Sequence, residues 1–128
     1  MEKELPRPTD AELAILRTLW RLGPSTVRQV QEALNRDRET GYTTVLKTLQ
    51  IMTEKGLVER DESQRTHIYQ TRLTREQTQQ QLVGDLLNKA FGGSASQLVL
   101  QALAAKPASA DELARIRQLL NDLEGGAQ

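Results

Sequence analysis

The sequence predicts a mostly α chain: a winged helix-turn-helix, three helices plus a β-hairpin, over residues 1–72, and a helical dimerisation region over 73–128. Three observations predict it. Helix-start signals of the capping-box type recur at Thr9, Thr74 and Ser109. Apolar spacing is helical as far as residue 55, then turns partly alternating and rich in β-formers before residue 72. Beyond residue 72 the periodicity is helical again and unusually rich in leucine.

The first helix opens at Thr9-Asp10-Ala11-Glu12, where Thr9 accepts from a backbone N–H and Glu12 reaches back. Leu13, Leu16 and Trp20 follow at helical spacing, Ile15, Leu19 and Leu22 widen the apolar face, and Gly23-Pro24 stops it. Ser25 is expected to cap a short second helix carrying Val27, Val30 and Leu34. The polar stretch Asn35–Gly41 is a loop or a frayed helix end. A third helix is expected from about Thr43 to Lys55, closed by Gly56, with Val45, Leu46, Leu49 and Met52 inward and Thr43, Lys47, Gln50 and Glu54 outward.

A wing is expected over 57–70: strands at Leu57-Val58-Glu59-Arg60 and Thr66-His67-Ile68-Tyr69, with a polar tip at Asp61–Arg65. Thr74-Arg75-Glu76-Gln77 then opens a helix bearing Leu82, Val83, Leu86, Leu87, Ala90 and Phe91, which Gly92-Gly93 breaks. Ser94 or Ser96 starts a short helix through Leu98, Val99, Leu100 and Leu103, ended by Lys106-Pro107. Ser109-Ala110-Asp111-Glu112 opens the last, with Leu113, Ile116, Leu120 and Leu123 on one stripe. The tail Gly125-Gly126-Ala127-Gln128 reads as disordered.

Composition narrows the function. Seventeen basic and seventeen acidic residues cancel. Cut at residue 72, the halves carry twelve basic against eleven acidic residues, then five against six. Any nucleic-acid footprint is therefore a local patch. With no cysteine, disulfides, thiolate metal sites and cysteine nucleophiles are excluded. No apolar run approaches the roughly 20 residues that span a bilayer, and the start lacks the apolar core of a signal peptide. A soluble, cytoplasmic chain without membrane insertion is expected.

Catalysis finds no constellation. The single histidine, His67, lies in the wing with no second ligand or nucleophile partner in the sequence. Asp61 and Glu62 are adjacent in an exposed turn, and the paired glycines sit at helix boundaries or in the tail. No enzyme, cofactor or metal is expected.

DNA reading asks for less. In a helix-turn-helix the second helix enters the major groove by its N-terminal end. Here that end offers Tyr42, Thr43, Thr44 and Lys47, with Gln50 one turn on. Threonine hydroxyls and methyls meet bases or phosphates, and lysine donates to guanine acceptors. Ser25 and Thr26 are candidates for a phosphate, and Arg65 at the wing tip for the backbone or the minor groove beside the site. Ile51 also falls near the outer face: either it meets a thymine methyl or the helical phase is rotated by one residue. Arg36, Arg38, Arg60 and Arg72 rank lower, because Asp37, Glu39, Glu59 and Asp61 stand ready to neutralise them.

For dimerisation the candidates are Leu82, Leu86, Phe91, Leu98, Val99, Leu103, Ile116, Leu120 and Leu123, more apolar surface than so small a unit hides alone. A dimer places two reading helices on one face of double-stranded DNA and predicts a palindromic operator.

Taken together, these residues resemble the BlaI/MecI penicillinase-repressor family. The likeness rests on Thr9–Leu16, Trp20, Tyr42-Thr43-Thr44-Val45-Leu46-Lys47-Thr48-Leu49, Lys55-Gly56-Leu57-Val58, the wing Arg65–Tyr69, Gly92-Gly93-Ser94 and Leu98-Val99. It implies a homodimeric repressor on a dyad operator, often released by proteolysis that a membrane sensor protease triggers. At the position of the family's scissile Asn-Phe pair this chain has Gln101-Ala102. The C-terminal cysteines of a copper-responsive branch are absent. A protein–protein assembly module on the same fold is the other reading. A repressor sensing a small molecule between its domains ranks below both, for want of an obvious polar constellation.

Overall fold

The computed structural model describes residues 5–126. Its elements run α1 (Asp10–Leu22), α2 (Val27–Leu34), α3 (Tyr42–Lys55), β1 (Val58–Asp61), β2 (Ile68–Thr71), α4 (Arg75–Ala90), α5 (Ala95–Ala105) and α6 (Ala110–Gly126). This is a winged helix-turn-helix followed by three helices. The chain divides into two compact units, the first ending at Val83 and the second beginning at Gly84, within α4.

Local chemistry accounts for most boundaries. Thr9 and Glu12 form the capping box of α1 in both directions. Thr74 with Gln77 and Ser109 with Glu112 form reciprocal pairs at the starts of α4 and α6, and Ser94 caps α5. Gly56 ends α3 in the left-handed region at φ 84°, where the Leu57 N–H returns to the Met52 carbonyl.

Three expectations are corrected. Ser25 does not cap α2; Thr26 does, in a box with Gln29, because both backbone groups of Ser25 are engaged by Tyr69. The wing strands begin one and two residues later than expected. Leu57 belongs to the cap of α3, and an Asp61–Ser63 hydrogen bond tightens the tip, leaving Thr66 and His67 in the turn. Gly125 and Gly126 are helical rather than tail; Ala127 and Gln128 lie outside the described residues.

The core of the first unit joins Ile15, Leu16 and Leu19 of α1, Val27 and Val30 of α2, Val45, Leu49 and Met52 of α3, and Leu57, Val58 and Tyr69 of the wing. The strands pair antiparallel with Val58 opposite Thr71 and Asp61 opposite Ile68. An isolated bridge between Ser25 and Tyr69 fastens the hairpin to the start of α2, with N–O distances of 2.8 and 3.0 Å. Tyr69, in the second strand, is among the largest fully buried side chains. From the first half of α4, Thr78 is buried and the Gln81 amide donates to the Leu5 carbonyl at 2.8 Å.

The second unit differs in kind. Neither α5 nor α6 buries a single residue. Its leucines stay at or near the surface.

Candidate nucleic-acid interface

The turn between α2 and α3 is held by side chains. Asn35 Oδ1 accepts from the Thr40 N–H at 2.7 Å, and the Gln31 amide donates to the Thr40 carbonyl at 3.3 Å. With Val45, Leu49 and Met52 buried, α3 has one inner face, and Thr43, Lys47, Gln50 and Glu54 stand on the exposed opposite side. Tyr42 and Thr44 are exposed as well. Ile51 is 45% exposed while Leu49 and Met52 are buried, so the helical phase was not rotated and Ile51 faces outward.

The start of α3 is chemically distinct. Every other helix has a threonine or serine hydroxyl on its first-turn amides, whereas α3 begins after Gly41 with no side-chain cap. Its first amides therefore keep their donor capacity for an external acceptor, and the helix dipole favours an anion there. Among the described residues Lys47 and Arg65 have no acidic partner, so both cations are uncommitted.

Other candidates are placed less favourably. Ser25 is 2% exposed and its hydroxyl donates to the Gly23 carbonyl at 2.8 Å, which removes its side chain from any outer surface. Thr26 is half-buried, and its hydroxyl oxygen accepts from the Gln29 N–H at 3.1 Å. Arg60 pairs with Glu62 at 2.7 Å and Arg72 with Glu59 at 3.4 Å, while Arg36 and Arg38 form no ion pair among the described residues. Among those residues no three His, Cys, Asp or Glu side chains converge to hold a metal ion.

One positioning pair escaped sequence reasoning. Glu12, read only as a capping residue, also receives Lys55 from the far end of α3 at 2.6 Å. The capping box pointed to Glu12; nothing in local spacing pointed to Lys55, forty-three residues away.

Of the residues singled out for dimerisation, Leu86, Val99, Leu120 and Leu123 are exposed, and Leu82, Phe91, Leu98, Leu103 and Ile116 are half-buried. Val83, Leu100, Leu113 and Leu119 add further exposed apolar surface.

The profile of the penicillinase repressor family matches residues 8–122. This chain belongs to that family. A transcriptional regulator BlaI of Mycobacterium tuberculosis is 36% identical over 124 residues, 96% of this chain and 89% of the relative. The penicillinase repressor of Bacillus licheniformis is 21% identical over 120 residues, 94% of each chain. The solution structure of monomeric B. licheniformis BlaI with the blaP half-operator aligns at TM-score 0.50 and 20% identity, over 59% of this chain and 92% of that one. H. salinarum RosR aligns at TM-score 0.51 and 21% identity, over 94% of this chain and 96% of that one. At those identities the two structures establish the shared fold. As a penicillinase-repressor family member the chain is a transcriptional repressor of the BlaI type, not an enzyme. No helix among the described residues is long and apolar enough to cross a membrane.

Proposed function

We propose that this repressor binds a palindromic double-stranded DNA operator as a homodimer, with α3 in the major groove and the wing on the flanking backbone. The observation that carries the reading is the outer face of α3: an uncapped N-terminus followed by exposed Tyr42, Thr43, Thr44, Lys47 and Gln50, with Lys47 unpaired. In this arrangement the first amides of α3 hold a phosphate, Lys47 donates to a guanine, and Thr43, Thr44 and Gln50 meet neighbouring base edges. Thr26 and Arg65 reach backbone phosphates on either side. The B. licheniformis relative was solved on a half-operator, which favours the same use of the fold here.

The 73–128 region is the dimerisation half in this proposal, since the exposed leucines of α4, α5 and α6 lose water contact most simply against a second copy. Two reading helices then face half-sites one helical turn, about 34–36 Å, apart. Release from the operator follows signal-dependent cleavage in α5 through a membrane sensor protease pathway. Gln101 and Ala102, which occupy the position of the family's scissile pair, are both exposed.

Footprinting of the purified protein on the DNA upstream of its own gene, across a salt series, tests the core of the proposal. A protected palindrome is expected. The logarithm of its affinity should fall with log salt by about 0.9 for each phosphate neutralised. Absence of protection there and at neighbouring promoters, even at low salt, would overturn it. Intact-mass analysis of the repressor from induced cells tests cleavage: a fragment ending at Gln101 is expected, and a full-length chain in derepressed cells rules that step out.

A further inference from the structure

The first unit carries a groove that DNA reading does not use. It lies open to solvent between α1 and the first half of α4, has a volume of about 560 Å³, and is lined by residues of that unit. That volume falls in the range of small-molecule sites, roughly 300–1,000 Å³. Its apolar surface comes from Leu13, Trp20 and Leu82, all half-buried. Its polar lining is cationic: Arg17 and Arg21 from α1 and Arg75 from α4, with Gln79 beside them. Among the described residues no carboxylate lines it.

The charge is the informative part. In a chain whose charges cancel, three guanidiniums around one apolar groove are a local excess. Only Arg75 has a carboxylate partner among the described residues, the exposed Glu76 at 3.5 Å. Asp37 lies in a separate depression on the other flank of Arg17 and Arg21 and makes no ion pair with either. Arg17 and Arg21 stand one helical turn apart, a spacing at which two side chains reach a single acceptor. A guanidinium binds a carboxylate through paired N–H donors, and an indole beside it offers an apolar face for a flat ring.

We infer that this groove binds a small aromatic carboxylate, its ring against Trp20, Leu13 and Leu82 and its acid group between Arg17 and Arg21, and that occupancy weakens operator binding. The second clause rests on the DNA-binding reading above; the first does not. Coupling has a simple mechanical basis. Helix α4 is continuous across Val83 and Gly84, so a molecule wedged between α1 and Arg75–Leu82 pushes on the helix that leads out of the reading unit. In a dimer, a change there alters the separation of the two reading helices.

Trp20 is the single tryptophan of the chain, so its fluorescence reports the groove directly. The full-length protein is titrated with phenylacetate and with the neutral phenylacetamide, without DNA and then with the footprinted operator. Saturable change in Trp20 emission with phenylacetate is expected, with phenylacetamide and the Arg17→Met/Arg21→Met variant each weaker by about tenfold or more, the loss of a charge-assisted contact. Operator affinity should fall at least about fivefold on saturation. No saturable response, or equal responses to acid and amide, overturns the site, and the amide comparison decides this even if the double variant fails to fold. Binding that instead dissociates dimers assigns the groove to a second copy and also overturns it. Normal binding with unchanged operator affinity removes only the regulatory clause, and absence of any operator footprint is the failure of the DNA reading, not of the site.

Discussion

Lys55, the last residue of α3, holds the Glu12 carboxylate in the first turn of α1 at 2.6 Å. The same ammonium donates to the Arg7 carbonyl at 3.0 Å, and the same carboxylate oxygen accepts the Thr9 N–H at 2.9 Å. One nearly buried acid thus ties the start of the first helix to the end of the reading helix. Burial pushes the Glu12 acid up, but hydrogen bonds from Lys55 and Thr9 and the nearby lysine charge outweigh it, and its pKa lies below the ordinary 4.5.

Glu12→Gln should therefore destabilise the fold. Lys55 is one-third exposed, so the loss is put at about 1–3 kcal/mol, below that of a fully buried pair. The sign with pH follows from a folded value below the unfolded one. The carboxylate's contribution is complete above 4.5 and disappears as pH falls through the lower folded value. Urea midpoints of wild type and Glu12→Gln should differ near neutrality and converge in acid. A constant gap would show that the lost side-chain shape, not the charge, matters.

Lys47→Ala should weaken operator binding by about 1–3 kcal/mol while leaving thermal unfolding unchanged, since the side chain is exposed and unpaired. If Lys47 reads a guanine, the loss disappears on an operator altered at that base pair. If it holds only a phosphate, the loss is the same on every sequence and the salt slope falls by about 0.9.

Much of this architecture was legible because it is written locally. The Thr9/Glu12, Thr74/Gln77 and Ser109/Glu112 boxes each depend on residues three apart, and each starts a helix as read. The α3 stripe was legible for the same reason: Val45, Leu49 and Met52 repeat at the helical period and are buried. Non-local pairing was not. Ser25 has a good cap's chemistry, yet Tyr69, forty-four positions on, takes its backbone, and the Thr26-x-x-Gln29 box was the neglected local signal. Gly125 and Gly126 read as part of a disordered tail, while α6 continues through them. The groove between α1 and α4 needed two elements brought together before three scattered arginines became a cluster.

The Ser25–Tyr69 bridge separates a structural role from a DNA contact. Tyr69→Ala removes a 1%-exposed aromatic at the joint between wing and α2 and should cost about 3–5 kcal/mol, a large part of a small domain's stability. Ser25→Ala keeps both backbone bonds and loses only the hydroxyl bond to Gly23, about 0.5–1.5 kcal/mol. Its operator affinity and salt slope should match wild type once folded; a reduced slope would show that Ser25 holds a phosphate after all.

The dimer proposal is tested where the second unit is least able to stand alone. Leu123 is 62% exposed on a helix that buries nothing, and Leu86 is exposed on α4. In an isolated chain, Leu→Glu at such positions removes little packing and is nearly neutral. In a dimer it places a charge in an apolar interface that has no partner for it. Leu86→Glu and Leu123→Glu should therefore yield monomers in sedimentation experiments, while the wing unit keeps its own core and its cooperative unfolding. Operator affinity should drop by far more than Lys47→Ala causes, because each half-site then binds without its neighbour. A dimer that survives both substitutions puts the contact on a different part of the α4–α6 surface and leaves the exposed leucines of α6 to another partner.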